Sequence, residues 1–313
     1  MSTHSTRKRR SFRALQLAVA VAAFFYVFSL VDLQEARRAL SGIDLRFFAA
    51  AFFLALLGLF SASLRWVILL RSAGIGYRIL DAFRCYLAGA FYGLAMPGVI
   101  GGDVSRVVIC RHQTGAPLGK LTGSVLLERY LGVVTLLCLL VIGLSSSSAE
   151  FLPPQAATVA PLLAAAGLAA ILAVPALVRR NTLGVALHPR LARLGGLLDA
   201  VGGLRPAGLA KALGLSGGFQ LSDILGTYLV GQALGTALHG PELLVALPLA
   251  YLATALPISP SGLGIREATL VLVLAQAGVS TSEAALLALV IFFIRVLVGI
   301  LGGLDQMLGT LRK

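Results

Sequence analysis

Apolar runs on the order of 20 residues recur along the chain, near positions 14–33, 46–70, 121–144, 156–178, 212–235 and 283–307, each long enough to cross a bilayer as a helix. The whole chain is 58% hydrophobic and 12% charged, too little charge to clothe a soluble domain. In lipid every backbone polar group must find a partner within the protein, which leaves helices as the form for continuous apolar runs. The expected class is therefore an all-α polytopic membrane protein, with residues 1–313 forming a single integral membrane domain.

The net charge of +13 would suit a nucleic-acid binder, but its distribution does not. Basic residues gather beside the apolar runs, as in Arg7, Lys8, Arg9 and Arg10 or Arg179 and Arg180, the pattern of the positive-inside rule and of attraction to anionic headgroups. No small-residue cleavage site follows the first run, so an uncleaved helix is expected rather than a signal peptide. Cys85, Cys110 and Cys138 have no CxxC or Cys/His spacing, and neither a disulfide framework nor a metal site follows. His4, His112, His188 and His239 are scattered and receive no role. No GxxxxGK[ST] phosphate loop and no cofactor motif occurs.

Loop charges orient the spans. The N-terminus, residues 71–84, 106–120 and 179–211, and the terminal Arg312-Lys313 are basic and are expected to be cytoplasmic, so both termini face the cytoplasm. Loops 145–155 and 236–241 carry no Lys or Arg and are expected outside. The 34–45 loop falls outside as well, although it holds Arg37 and Arg38.

Two regions then have to return to the side they came from. Residues 82–111 are broken by Pro97-Gly98 and Gly101-Gly102-Asp103, and residues 242–279 by Pro257, Pro260, Gly262 and Gly264 before Arg266-Glu267. Irregular backbone at membrane depth is tolerated only where protein or a wet cavity surrounds it. The expected architecture is about six full transmembrane helices plus two re-entrant helical hairpins entering from opposite faces. A span, a hairpin and a span recur, over 46–144 and over 212–307, with 145–211 supplying a connecting span and a cytoplasmic loop. That order is the mark of an inverted-repeat transporter.

The broken hairpins also hold the candidate site. The second arm of each begins as a helix whose free N–H groups and dipole favour an anion. Gly101, Gly102, Gly262 and Gly264 would let a headgroup approach the backbone, unless they serve only close helix packing. Arg129 and Arg295 lie within apolar spans, where charge is costly and usually marks a pathway or an ion pair. With Arg106 and Arg266 they are candidates to grip a lipid phosphate; alternatively Arg129 pairs with Asp103 and Arg295 with Glu267. Asp103 and Arg106, three apart, share one helix face. Glu128, next to Arg129, points elsewhere on the helix and is open to a different partner. Asp103, Glu128, Glu267 and Asp223 are candidate ion-pair partners or proton carriers, and Arg65 is expected to snorkel to the interface.

These motifs carry a family likeness. Pro97-Gly98, Gly101-Gly102-Asp103, Arg106, then Ser124-Val125-Leu126-Leu127-Glu128-Arg129, and the later Pro257–Ala268 stretch PISPSGLGIREA together resemble the lysylphosphatidylglycerol synthase transmembrane region family. The resemblance covers nearly the whole chain. It implies a flippase-like protein, similar to the membrane half of multiple-peptide-resistance proteins and without their aminoacyl-transferase domain. The expected function is translocation of an anionic or modified phospholipid headgroup across a bacterial-type plasma membrane by alternating access. The expected partners are the bilayer and a phospholipid substrate, with no cofactor and no nucleic acid; an oligomer is open. The competing expectations are an integral-membrane enzyme acting on a lipid or polyprenyl phosphate, and a membrane partner of a lipid-modifying enzyme or glycosyltransferase.

Overall fold

Length and capping explain where the helices begin and end. A computed structural model describes residues 21–95, 101–145, 155, 158–159, 161–169, 202–236, 238, 240–254 and 263–311, and these are helical apart from turns and short links. Residues 21–29 are helical and lead into α1 (Leu33–Ser41). Then follow α2 (Leu45–Ser72), α3 (Ile79–Ala95), α4 (Gly101–Thr114) and α5 (Leu118–Leu144). Beyond the described segment 161–169 come α6 (Pro206–Leu234), α7 (Gly240–Thr254), α8 (Ile265–Gln276) and α9 (Thr281–Leu311).

Among the described residues, three helices are long and apolar enough to cross a membrane: Leu45–Ser72, Leu118–Leu144 and Thr281–Leu308. The chain is thus a multi-pass helical membrane protein. At 29 residues α6 matches them in length, but its apolar character is diluted by glycines, Lys211, Gln220 and Asp223. The expected span at 14–33 is described only from residue 21, and that at 156–178 only in part.

The expected loop at 34–45 instead holds α1. Asp32 caps it, its carboxylate accepting from the Gln34 N–H at 2.7 Å and the Glu35 N–H at 3.2 Å. Glu35 in the first turn and Arg38 in the last complement the helix dipole. A short polar sequence read as a loop becomes a helix because both of its ends are satisfied.

The order of lengths repeats. Long α2, short α3 and α4 and long α5 are followed by long α6, short α7 and α8 and long α9. The short helices have 17, 14, 15 and 12 residues, or roughly 18–26 Å at helical rise, less than the ~30 Å of hydrocarbon they would have to cross. Within each set the short helices pack on each other. The Pro-Gly breaks between them, 96–100 and 255–262, lie outside the described residues.

Small residues determine how the two sets meet. The central crossing joins α2 to α6, which run antiparallel. Gly226 faces Ala51, Gly58 faces Phe219 and Ser222, and the Ser61 hydroxyl donates to the Leu215 carbonyl at 2.9 Å. Such residues allow backbones in lipid to approach closely. The remaining contacts are reciprocal: α9 packs on α3 of the first set, and α5 on α7 of the second. A Cβ on Gly302 would overlap the Leu87 carbonyl, and one on Gly143 would lie 2.9 Å from that of Leu244. Arg84 on α3 adds an ion pair to Asp305 on α9 at 3.0 Å. The buried apolar side chains form two clusters. One, around Trp66, Leu69, Leu121 and Leu131, belongs mainly to the first set. The other, around Leu243, Leu247, Leu274 and Leu287, belongs mainly to the second.

Candidate functional site

Two polar networks interrupt these apolar clusters, one in each set of helices. In the first, Glu128 of α5 is 4% exposed and is surrounded by donors. Arg65 of α2 reaches its Oε1 at 2.7 Å, Arg106 of α4 its Oε2 at 3.1 Å, and the Tyr86 hydroxyl of α3 also donates to Oε1. Arg65 donates in addition to Ser216 Oγ on α6 at 2.5 Å, which ties the first set to the second. Arg106 pairs with Asp103 one helical turn away and lies over the ring of Tyr86, 4.1 Å from its centroid. The other oxygen of Asp103 accepts from Arg129 Nε at 2.6 Å. Trp66 closes the network, its indole N–H donating to Ser124 Oγ at 3.0 Å.

The second network has the same layout with its charges exchanged. Where the first set has Arg65 before the short pair and Glu128 after it, the second has Asp223 on α6 and Arg295 on α9. A tyrosine from the first short helix again takes part, here as a bridge: Tyr251 donates to Asp223 Oδ2 at 2.7 Å and accepts from Arg295 Nη2 at 3.0 Å. A charged residue of the second short helix completes each network. There Arg106 meets Glu128; here Glu267 meets Arg295 at 3.5 Å. Glu267 also binds Arg266 at 2.9 Å.

Between the sets lies a cavity of about 300 Å³. Gly58, Leu59 and Phe219 contribute from the middle of α2 and α6, and Gly89 and Gly93 from α3. Its wall is largely apolar, and its polar lining is the cluster of Asp223, Tyr251, Arg266 and Arg295. Charges in such a wall interact strongly because little water screens them.

The candidate residues therefore separate into three groups. Arg266, Arg295 and Asp223 line the cavity. Arg106, Glu128 and Asp103, of the first network, and Glu267, of the second, do not line it. Arg129, expected to be deep in the membrane, has a side chain 51% exposed and is held by Asp103. The alternative pairings, Arg129 with Asp103 and Arg295 with Glu267, are both present.

The glycines divide as well. A Cβ on Gly102 would meet the Gly89 carbonyl at 2.7 Å, so Gly102 is a packing residue between α3 and α4; Gly101 opens α4 beside it. Gly264 has φ +78°, a conformation that favours glycine, and its N–H donates to Glu267 Oε2 at 2.8 Å. The start of α8 is therefore capped by its own glutamate, and the Gly264 N–H is not open to an anion. Gly262 lies outside the described residues.

The expectation for Arg65 is also corrected. It is 6% exposed and bound to Glu128 and Ser216 rather than extended to the interface. Partners 63 and 151 positions away in sequence hold it in the interior. Sequence reasoning missed Tyr86 and Tyr251 altogether. Each sits on the first short helix of its set, and that matched placement was the only signal available.

Residues 13–303 match the model of the family described as lysylphosphatidylglycerol synthase TM region. No curated protein matches the chain.

Proposed function

The chain belongs to the lysylphosphatidylglycerol synthase TM region family, and on that premise we propose that it moves a phospholipid headgroup across the membrane through the central cavity. The observation that carries this reading is the position of the cavity. It lies at mid-length of the crossed helices α2 and α6, where the two sets meet, and presents two arginines, with Asp223 and Tyr251, on a largely apolar wall. Arg266 and Arg295 bind the phosphate, Asp223 and Tyr251 orient it, and the acyl chains stay in lipid.

Antiparallel packing of α2 on α6 supports an inverted repeat. Corresponding helices related by an axis in the membrane plane run in opposite directions, whereas an axis along the membrane normal would leave them parallel. The reciprocal packing of α9 on α3 and α5 on α7 follows the same symmetry. The short pairs α3/α4 and α7/α8 are then re-entrant hairpins, and the two sets alternate in opening the cavity to either side. Asp223 and Glu267 exchange partners, or a proton, as Arg295 changes hold. The membrane is a bacterial-type plasma membrane, both termini face the cytoplasm, and the chain itself performs no catalytic step.

Purified protein in liposomes containing fluorescent phosphatidylglycerol tests this. Dithionite quenching should show faster exchange between leaflets than in protein-free liposomes. Arg295→Ala should reduce that rate by at least about tenfold, the scale for one lost charge-assisted contact, while Arg129→Ala should leave it within about twofold. Folded protein that accelerates no lipid would overturn the reading and favour a membrane enzyme or an enzyme partner.

A further inference from the structure

Helix α1 carries Arg37 and Arg38 beside apolar Leu33, Ala36 and Leu40. This helix is two-faced. Glu35, Arg38, Ala39 and Gly42 line one hollow, whereas Leu33, Ala36 and Leu40 line a separate groove on the other side. The groove, of about 540 Å³, continues over Leu45 and Phe48 of α2 and along Leu286, Val290 and Phe293 of α9. That volume falls within the ~300–1,000 Å³ usual for ligand pockets. Its rim is open: Leu33 is 74% exposed, Leu45 69% and Phe28 54%.

The groove is almost wholly apolar, and two exposed arginines adjoin its lining residues in sequence. Arg37 is four residues after Leu33 and three before Leu40, hence on the same side of α1 as the groove. Arg46 is in the first turn of α2, directly after Leu45. An amphipathic helix with this arrangement lies in the interfacial plane, its apolar side toward the acyl chains. We propose that this groove is a second lipid site, separate from the central cavity, which seats one acyl chain of a membrane phospholipid while Arg37 and Arg46 hold its phosphate. The chain fills an apolar slot that the protein leaves open, and the arginines distinguish the slot from ordinary lipid-facing surface.

Photo-crosslinking from phosphatidylglycerol carrying a diazirine in its acyl chain tests the site in liposomes without relying on transport. Peptides covering 28–48 and 286–293 should be labelled well above those carrying the exposed Val104 and Val108 of α4 or Leu304 and Leu308 of α9. Arg37→Ala with Arg46→Ala should lower that labelling by roughly fivefold or more, as expected for basic residues at a membrane surface. Arg37→Lys with Arg46→Lys should retain most of it, which separates lost charge from lost fold. Even labelling over all exposed apolar faces, or labelling indifferent to the alanine pair, would reduce the groove to ordinary lipid contact. Labelling of these peptides below that of the Val104, Val108, Leu304 and Leu308 peptides would mean that protein, not lipid, covers the groove.

Discussion

Glu128 illustrates what a single carboxylate can organise inside a membrane. It accepts from Arg65, Arg106 and Tyr86, on three different helices. Removing one partner of a buried ion pair leaves the others charged and unpaired, at a cost of about 3–5 kcal/mol. Glu128→Ala should therefore lower the folded yield and the midpoint of thermal unfolding in detergent. The chain has a single tryptophan, and Trp66 packs against Tyr86 and lies near Arg106. Its emission should shift in the same variant before global unfolding; an unchanged spectrum would mean that the network does not depend on Glu128. Glu128→Gln, which keeps the shape and an acceptor, should be the milder change. The pair Asp103 and Arg106 was legible from helical spacing, since residues three apart are neighbours on a helix. Arg65 was not, because its partners come from distant segments.

At the scale of elements, glycines decide which helices can touch. Gly302 of α9 sits against the Leu87 carbonyl of α3, and Gly143 of α5 against Leu244 and Val245 of α7. Gly302→Val should separate α9 from α3 and reduce the monodisperse fraction on gel filtration; overpacking of this kind costs about 1–3 kcal/mol. Gly217→Ala is the contrasting case. No atom lies within 4 Å of a Cβ placed there, and alanine is the better helix former by about 1 kcal/mol. Its thermal midpoint should be equal to or above that of the parent. The presence of the long helices was readable from their apolar runs. The distinct tasks of their glycines were not, because a packing glycine and an idle one look alike in sequence. Helix α1 was hidden for another reason: it is short and polar, and its capping by Asp32 outweighs its weak apolar signal.

For the whole molecule, the crossing of α2 and α6 is the testable feature. A Cβ on Gly58 would lie 3.3 Å from that of Ser222, near the ~3.8 Å between the Cβ atoms of a disulfide. Gly58→Cys with Ser222→Cys should therefore cross-link under mild oxidation, and the bond should arrest lipid exchange until a reductant restores it. Exchange that continues with the bond intact would mean that the two sets need not move at this crossing. Failure to cross-link at all would refute the antiparallel contact itself.

The sequence alone determined the solvent and the class, because apolar runs of membrane-crossing length and scarce charge are properties of composition and local order. It also picked out most of the charged residues of the two networks, since charge in an apolar surrounding is conspicuous. Only the tertiary structure decided which charges meet. It divided them into two networks of opposite polarity, drew Arg65 inward, left Arg129 half exposed, and brought Arg266, Arg295 and Asp223 to a common cavity. Charge pairing acts over a few ångströms in space between residues many positions apart, so the sequence names the groups while helix packing selects the partners.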